Sequence, residues 1–120
     1  MWVDGDAIRL SQAIGNLLTN AIKFTGPEGV IAVALRSDGH AAQIQVRDDG
    51  RGFDRAHAAE LFEPFAQGDT SLARTISGLG LGLPIVREIV GLHGGRVSAH
   101  SDGPGTGASF VIELPLFTEV

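Results

Sequence analysis

The clearest hydrophobic period lies between Asp6 and Thr25, where Leu10, Ile14, Leu17, Leu18 and Ala21 recur at intervals of three and four residues. That spacing stacks side chains on one face of an α-helix. Asp6 stands where an N-cap belongs and Thr25-Gly26-Pro27 supplies the stop, so the pattern predicts a helix between them. Val30 to Arg36 and Ala42 to Asp48 read as strands. The second alternates Ala42, Ile44 and Val46 with Gln43, Gln45 and Arg47, which predicts an antiparallel pair turned at Asp38-Gly39 with one buried face.

Asp54 to Leu61 fits a short helix, and residues 66–77 show no period and are rich in Gly, Asp, Ser and Thr. Loops of that length are uncommon in compact domains unless they serve as lids or binding segments. Gly78-Leu79-Gly80-Leu81-Gly82 leads into a helix over Leu83 to Leu92, with Pro84 in its first turn and Gly94-Gly95 as its stop. Arg96 to His100 and Ser109 to Leu114 are predicted as strands around a turn at Gly103 to Gly107.

The 120 residues are 43% apolar and 19% charged, the composition of one ordinary globular domain. No apolar run is long enough to span a bilayer, and Asp4 and Asp6 interrupt the start of the chain, against a signal peptide. The absence of cysteine excludes disulfides, zinc ribbons and thiol catalysis. Nine basic against fourteen acidic side chains give a net charge of -5, the wrong sign for wrapping nucleic acid. Glycine is the compositional oddity: 17 residues, clustered at 50 and 52, 78–82, 91–95 and 103–107.

Several templates fail. The only lysine, Lys23, follows Ile22 and not a phosphate-loop glycine. Gly103-Pro-Gly105-Thr-Gly107-Ala108 precedes a strand instead of opening a helix, and Asp48 to Asp54 lacks oxygen ligands at its third and fifth positions. His40, His57, His93 and His100 have no metal-ligand spacing and read as surface or turn residues.

A constellation remains. Arg9, Gln12, Asn16, Asn20 and Lys23 fall on the face of the first helix opposite its apolar stripe. A solvated face explains this; so does a site whose carboxamides meet a hard cation such as Mg²⁺ while Lys23 meets a phosphate. Asp48-x-Gly50-x-Gly52 is either a glycine turn with a solvated acid or a carboxylate set to accept an amine in a pocket. Gly78-x-Gly80-x-Gly82 is either a hinge or an anion site at a helix N-terminus.

Taken together, Asn16-Leu-Leu-Thr-Asn20-Ala-Ile-Lys23-Phe24-Thr25, Asp48-Asp-Gly50-Arg-Gly52-Phe53, Leu61-Phe62-Glu-Pro-Phe65, Gly78-Leu-Gly80-Leu-Gly82-Leu83 and Gly105-Thr-Gly107-Ala-Ser-Phe110 resemble, in order, the boxes of the catalytic, ATP-binding domain of sensor histidine kinases. The resemblance covers Asp6 to Pro115. It implies the Bergerat fold, an α+β sandwich with helices on one face of a mixed, mostly antiparallel sheet. It implies a single catalytic and ATP-binding domain over 1–120 with its lid at about 66–77, no phosphoacceptor domain in the chain, and a missing N-terminal strand and helix.

The implied cofactors are ATP and Mg²⁺, with Asn20 as the metal ligand and Asn16 beside it. Lys23 and the lid's Arg74 would meet phosphate, Asp48 the adenine amino group, and Phe62 and Phe65 would anchor the lid. Gly50, Gly52, Gly78, Leu79, Gly80, Leu81 and Gly82 complete the implied nucleotide site. Leu79 stands where Thr or Ser is common, which removes one hydroxyl contact. The implied reaction passes the terminal phosphoryl group to a histidine on a separate dimerisation domain, and thence to a response regulator. Expected with it are a cytoplasmic location, with the parent protein membrane-anchored or not, no contact with nucleic acid or membrane by this domain, and self-association through an exposed sheet edge. Two other readings stand beside it: a nucleotide-binding regulatory module or pseudokinase, and a hydrolysing ATPase of the same superfamily, similar to gyrase, MutL or Hsp90, in which a glutamate usually occupies the position of Asn16.

Overall fold

The computed structural model describes residues 3–63 and 82–117. Helix α1 spans Ala7–Phe24, and the Asp6 carboxylate caps it by accepting the Ile8 and Arg9 amides at 3.0 and 3.1 Å. Strands β1 (Ile31–Ser37) and β2 (Ala41–Asp48) follow, then two short 3₁₀ turns, Arg55–His57 and Ala59–Phe62, where one short helix was expected. Helix α2 (Gly82–Leu92) and strands β3 (Arg96–His100) and β4 (Ala108–Pro115) complete the order. The expected lid, 66–77, lies outside the described residues.

The strands are ordered β1-β2-β4-β3, and all three pairings among the described residues are antiparallel, in keeping with the mostly antiparallel sheet expected. The register sets Val46 opposite both Val33 and Phe110, so inward positions form continuous rows. Ala13, Leu17 and Ala21 from α1 meet Leu83, Val86 and Val90 from α2 over Val46, Phe110, Ile112 and Leu114. Leu61 and Phe62 close one end of this core, with the Phe62 ring edge-on to Phe110 at 6.4 Å. Both helices thus cover one face of the sheet, and Gln43, Gln45, Arg47 and Ser109 lie on the other. This is the two-layer α+β sandwich that the resemblance implies.

One expected burial is not observed. By register Val33 and Leu35 point toward the helical face, yet they are 55% and 63% exposed. The reason is lateral: α1 packs on β2, α2 packs on β3 and β4, and neither reaches β1 to a comparable extent. Alternation along a strand identifies a face but not whether anything covers it.

This contrast is measurable by thermal or denaturant unfolding. Leu17→Ala, which empties a fully buried site, should cost about 2–5 kcal/mol. Leu35→Ala should change stability by less than about 1 kcal/mol, because its side chain has little burial to lose. Equal losses would place Leu35 in a covered core.

Candidate functional site

The last residue of β2 sets the chemistry. Asp48 is only 5% exposed, and its Oδ1 accepts the Gly50 amide at 2.8 Å. No ion pair among the described residues includes it. Burial pushes its carboxyl above the ordinary value; the Gly50 and Ala108 amides oppose the rise, and neighbouring Asp49 adds to it. A carboxylate held this way, without a cation, retains capacity for an amine donor.

Two clefts meet at Asp48. A wide one of about 230 Å³ is polar, lined among others by Arg47, His100, Asp102 and Thr106. A narrow one of about 30 Å³ is apolar, lined by Phe24, Arg51, Gly52, Phe53, Ala108 and Phe110 besides Asp48. The narrow cleft combines aromatic walls with one acid, the arrangement that suits a flat heterocycle carrying an amine. It is far smaller than a purine, and the Arg51 guanidinium lies 4.2 Å from the Phe24 ring centroid beside it.

On α1 the polar stripe is not uniformly solvated. Lys23 is exposed and Asn16 half-buried, whereas Asn20 is 3% exposed and its Nδ2 has no hydrogen-bond partner among the described residues. A buried orphan amide costs about 1–3 kcal/mol in the absence of a partner, which makes Asn20 a candidate for meeting a group that supplies an acceptor. Asn16 Nδ2 lies 3.5 Å from the Gly82 carbonyl, which brings the start of α2 against the same stripe.

The glycines after Asp48 have an explanation within the chain. A Cβ on Gly50 would collide with the Phe24 carbonyl, and Gly52 has φ +61 with its α-carbon against Ser101 and the Gly103 and Gly107 carbonyls. Their first role is therefore to let this loop pack against the end of α1 and the 103–107 turn. Phe62 is a core residue that fixes the chain before the undescribed segment. Phe65, Arg74, Gly78, Leu79, Gly80 and Leu81 lie outside the described residues.

Two structural residues escaped the sequence reading. Ser101, 2% exposed, donates to the Gly107 carbonyl at 2.7 Å and accepts the Phe53 amide at 3.2 Å, tying the loop after Asp48 to the glycine turn. The Gly105 and Gly107 amides reinforce this by donating to the Arg51 and Gly50 carbonyls. His93 stands in a turn, as expected, and is half-buried with both ring nitrogens in hydrogen bonds that the sequence did not signal. Neither a serine before a glycine cluster nor a lone histidine signals such a role in sequence alone.

Residues 5–118 match the family described as histidine kinase-, DNA gyrase B-, and HSP90-like ATPase. The chain is 42% identical to the sensor histidine kinase RcsC of Escherichia coli K12 over 115 residues, covering 96% of this chain and 12% of RcsC. Among solved structures it resembles a mycobacterial sensor histidine kinase, MprB, with TM-score 0.81, 33% identity, and coverage of 98% of this chain and 78% of that one. It also resembles full-length ShkA in complex with AMPPNP, with TM-score 0.75, 34% identity, and coverage of 93% and 22%.

The raised carboxyl of Asp48 predicts a pH-dependent stability. The native state holds this proton more tightly than the unfolded chain, so the stabilising contribution is complete at acid pH and is lost as pH rises through the native value. Asp48→Asn, which stays neutral, should therefore gain thermal stability relative to the parent as pH is raised from acid to neutral. A constant difference across that range would mean that burial leaves the Asp48 carboxyl unshifted.

Proposed function

Because the chain belongs to the histidine kinase-, DNA gyrase B- and HSP90-like ATPase family, we propose that it is the Mg-ATP-binding catalytic domain of a two-component sensor histidine kinase. The observation that carries this reading is the buried, cation-free carboxylate of Asp48 at the mouth of an aromatic cleft. Asp48 accepts the adenine amino group, and Phe24, Phe53 and Phe110 bound the purine. Its binding requires the Arg51–Phe24 stack to part.

The α1 stripe faces the phosphates in this reading. Among the described residues no three or more His, Cys, Asp or Glu side chains gather around a point, so an Mg²⁺ ion would rest on phosphate oxygens, water and carboxamide oxygen, a donor set it accepts. Asn20 fits: its buried Nδ2, without a partner among the described residues, would meet a phosphate oxygen, and its Oδ1 would meet the cation. When bound, the ion neutralises charge developing between the β- and γ-phosphates. Lys23, Arg74 and the backbone amides of residues 78–82 add positive potential around the terminal phosphate. The bond from the γ-phosphorus to the β-bridging oxygen breaks, ADP leaves, and a phosphorus–nitrogen bond forms to a histidine on a separate dimerisation domain. A response regulator then receives the group.

The chain spans 12% of RcsC, and in this reading the histidine-bearing dimerisation domain belongs to the chain's own longer parent protein while the response regulator is an indirect partner. No helix among the described residues is long and apolar enough to cross a membrane, and the domain's place in this scheme is the cytoplasm, where ATP is supplied. The uncovered β1 edge supports self-association of the isolated chain. Hydrolysis by the gyrase route lacks its general base, because the carboxamide of Asn16 does not accept a proton near neutral pH.

Titration calorimetry with Mg-ATP tests the reading. Asp48→Ala should weaken binding at least about tenfold, in keeping with about 1.5–3 kcal/mol for a charge-assisted hydrogen bond. Asn20→Ala should abolish the difference between affinities measured with and without Mg²⁺. An unchanged affinity in the first variant removes the adenine role; an unchanged metal dependence in the second assigns the ion elsewhere.

A further inference from the structure

The two helices are hydrogen-bonded at both ends of their contact, and only one of these contacts touches the proposed nucleotide site. At the near end Asn16 Nδ2 faces the Gly82 carbonyl at 3.5 Å, too long to hold a register by itself. At the far end the His93 ring, one residue beyond α2, uses both nitrogens. Nδ1 lies 2.8 Å from the Ile89 carbonyl, and Nε2 accepts the Asp6 amide at 2.9 Å. A carbonyl only accepts, so Nδ1 carries the proton and the Nε2 lone pair is committed to Asp6. The ring is therefore neutral and fixed in one tautomer.

Its two partners stand at functional points of the frame. Ile89 belongs to α2, and Asp6 is the N-cap of α1, with its carboxylate bonded to the Ile8 and Arg9 amides. Gly5 completes the fit, since a Cβ there would collide with His93 Cδ2. Between the ends, the helices meet through Ala13, Leu17, Leu83, Val86 and Val90, whose apolar contact is non-directional and tolerates axial shifts. Among the described residues, the His93–Asp6 and Asn16–Gly82 contacts are the only hydrogen bonds between these two segments.

We propose that His93 is a positioning residue: it latches the end of α2 to the start of α1, fixes the axial register of the pair, and so sets where Gly82 and the N-terminus of α2 stand against Asn16 and Asn20. The proposal rests on the nucleotide reading above and extends it to a residue remote from Asp48. Sliding α2 by one residue would move its N-terminus by about 1.5 Å, enough to spoil amide contacts with a phosphate held by α1.

Two measurements on the whole chain test it. Nitrogen-15 NMR of the His93 ring should show the Nδ1–H tautomer with an unprotonated Nε2, and the Asp6 amide should be protected from hydrogen exchange; the opposite tautomer or a freely exchanging amide refutes the latch. In Mg-ATP titrations His93→Ala and Gly5→Ala should each weaken affinity by about three- to tenfold, while His93→Gln, which places a carboxamide oxygen near Nε2, should return to within about twofold of the parent. Variants that remain folded and bind like the parent overturn the positioning role, as does a folded His93→Gln that fails to recover. If His93→Ala does not fold, Gly5→Ala and His93→Gln decide. A parent chain that binds no Mg-ATP defeats the nucleotide reading and the positioning role with it, while the tautomer and exchange data still report on the latch itself.

Discussion

An acid buried without a cation governs this fold. Asp48 ends a central strand, is nearly inaccessible, and is held by backbone amides alone among the described residues. An isolated carboxylate in that position is unfavourable in the free protein, which is why burial raises its proton affinity. Its surroundings are arranged to keep it there: Gly50 packs on the end of α1, Ser101 and the Gly103 to Gly107 turn clamp the loop beyond it, and Phe110 and Phe53 line the adjacent cleft. A stability penalty tolerated in the free state becomes affinity when a donor arrives.

The same economy appears on α1. Asn20 is buried with an amide nitrogen that has no hydrogen-bond partner among the described residues, and the same holds for Thr25 Oγ1 and Glu60 Oε2. Asp48 and Asn20 both belong to the nucleotide site proposed above, and a continuous apolar core lies beside them. The helix pair is bonded at its ends by directional contacts and joined between them by alkyl side chains, so geometry is set at the termini and stability in the middle.

Much of this was legible in the chain because its signals are local. Asp6 before an apolar stripe specified where α1 begins, and the alternation in Ala42 to Val46 specified which face of β2 turns inward. Burial that depends on a neighbour was not legible. Asn20 reads as part of a solvated polar stripe yet is buried, and Val33 and Leu35 stay exposed because, among the described residues, α1 and α2 pack chiefly over β2, β3 and β4. The glycines at 50 and 52 suggested room for a ligand, and the structure fills that room with the chain's own carbonyls. His93 and Ser101 gain their meaning from partners distant in sequence, which neither period nor motif can supply.

In the proposed nucleotide site Asp48 reads an amine. Guanine presents a carbonyl oxygen where adenine presents its amino group, so an acceptor would face an acceptor. The most direct measurement is a competition titration of Mg-ATP against Mg-GTP on the unmodified chain. ATP should bind at least about tenfold more tightly. Equal affinity for the two nucleotides would contradict the claim.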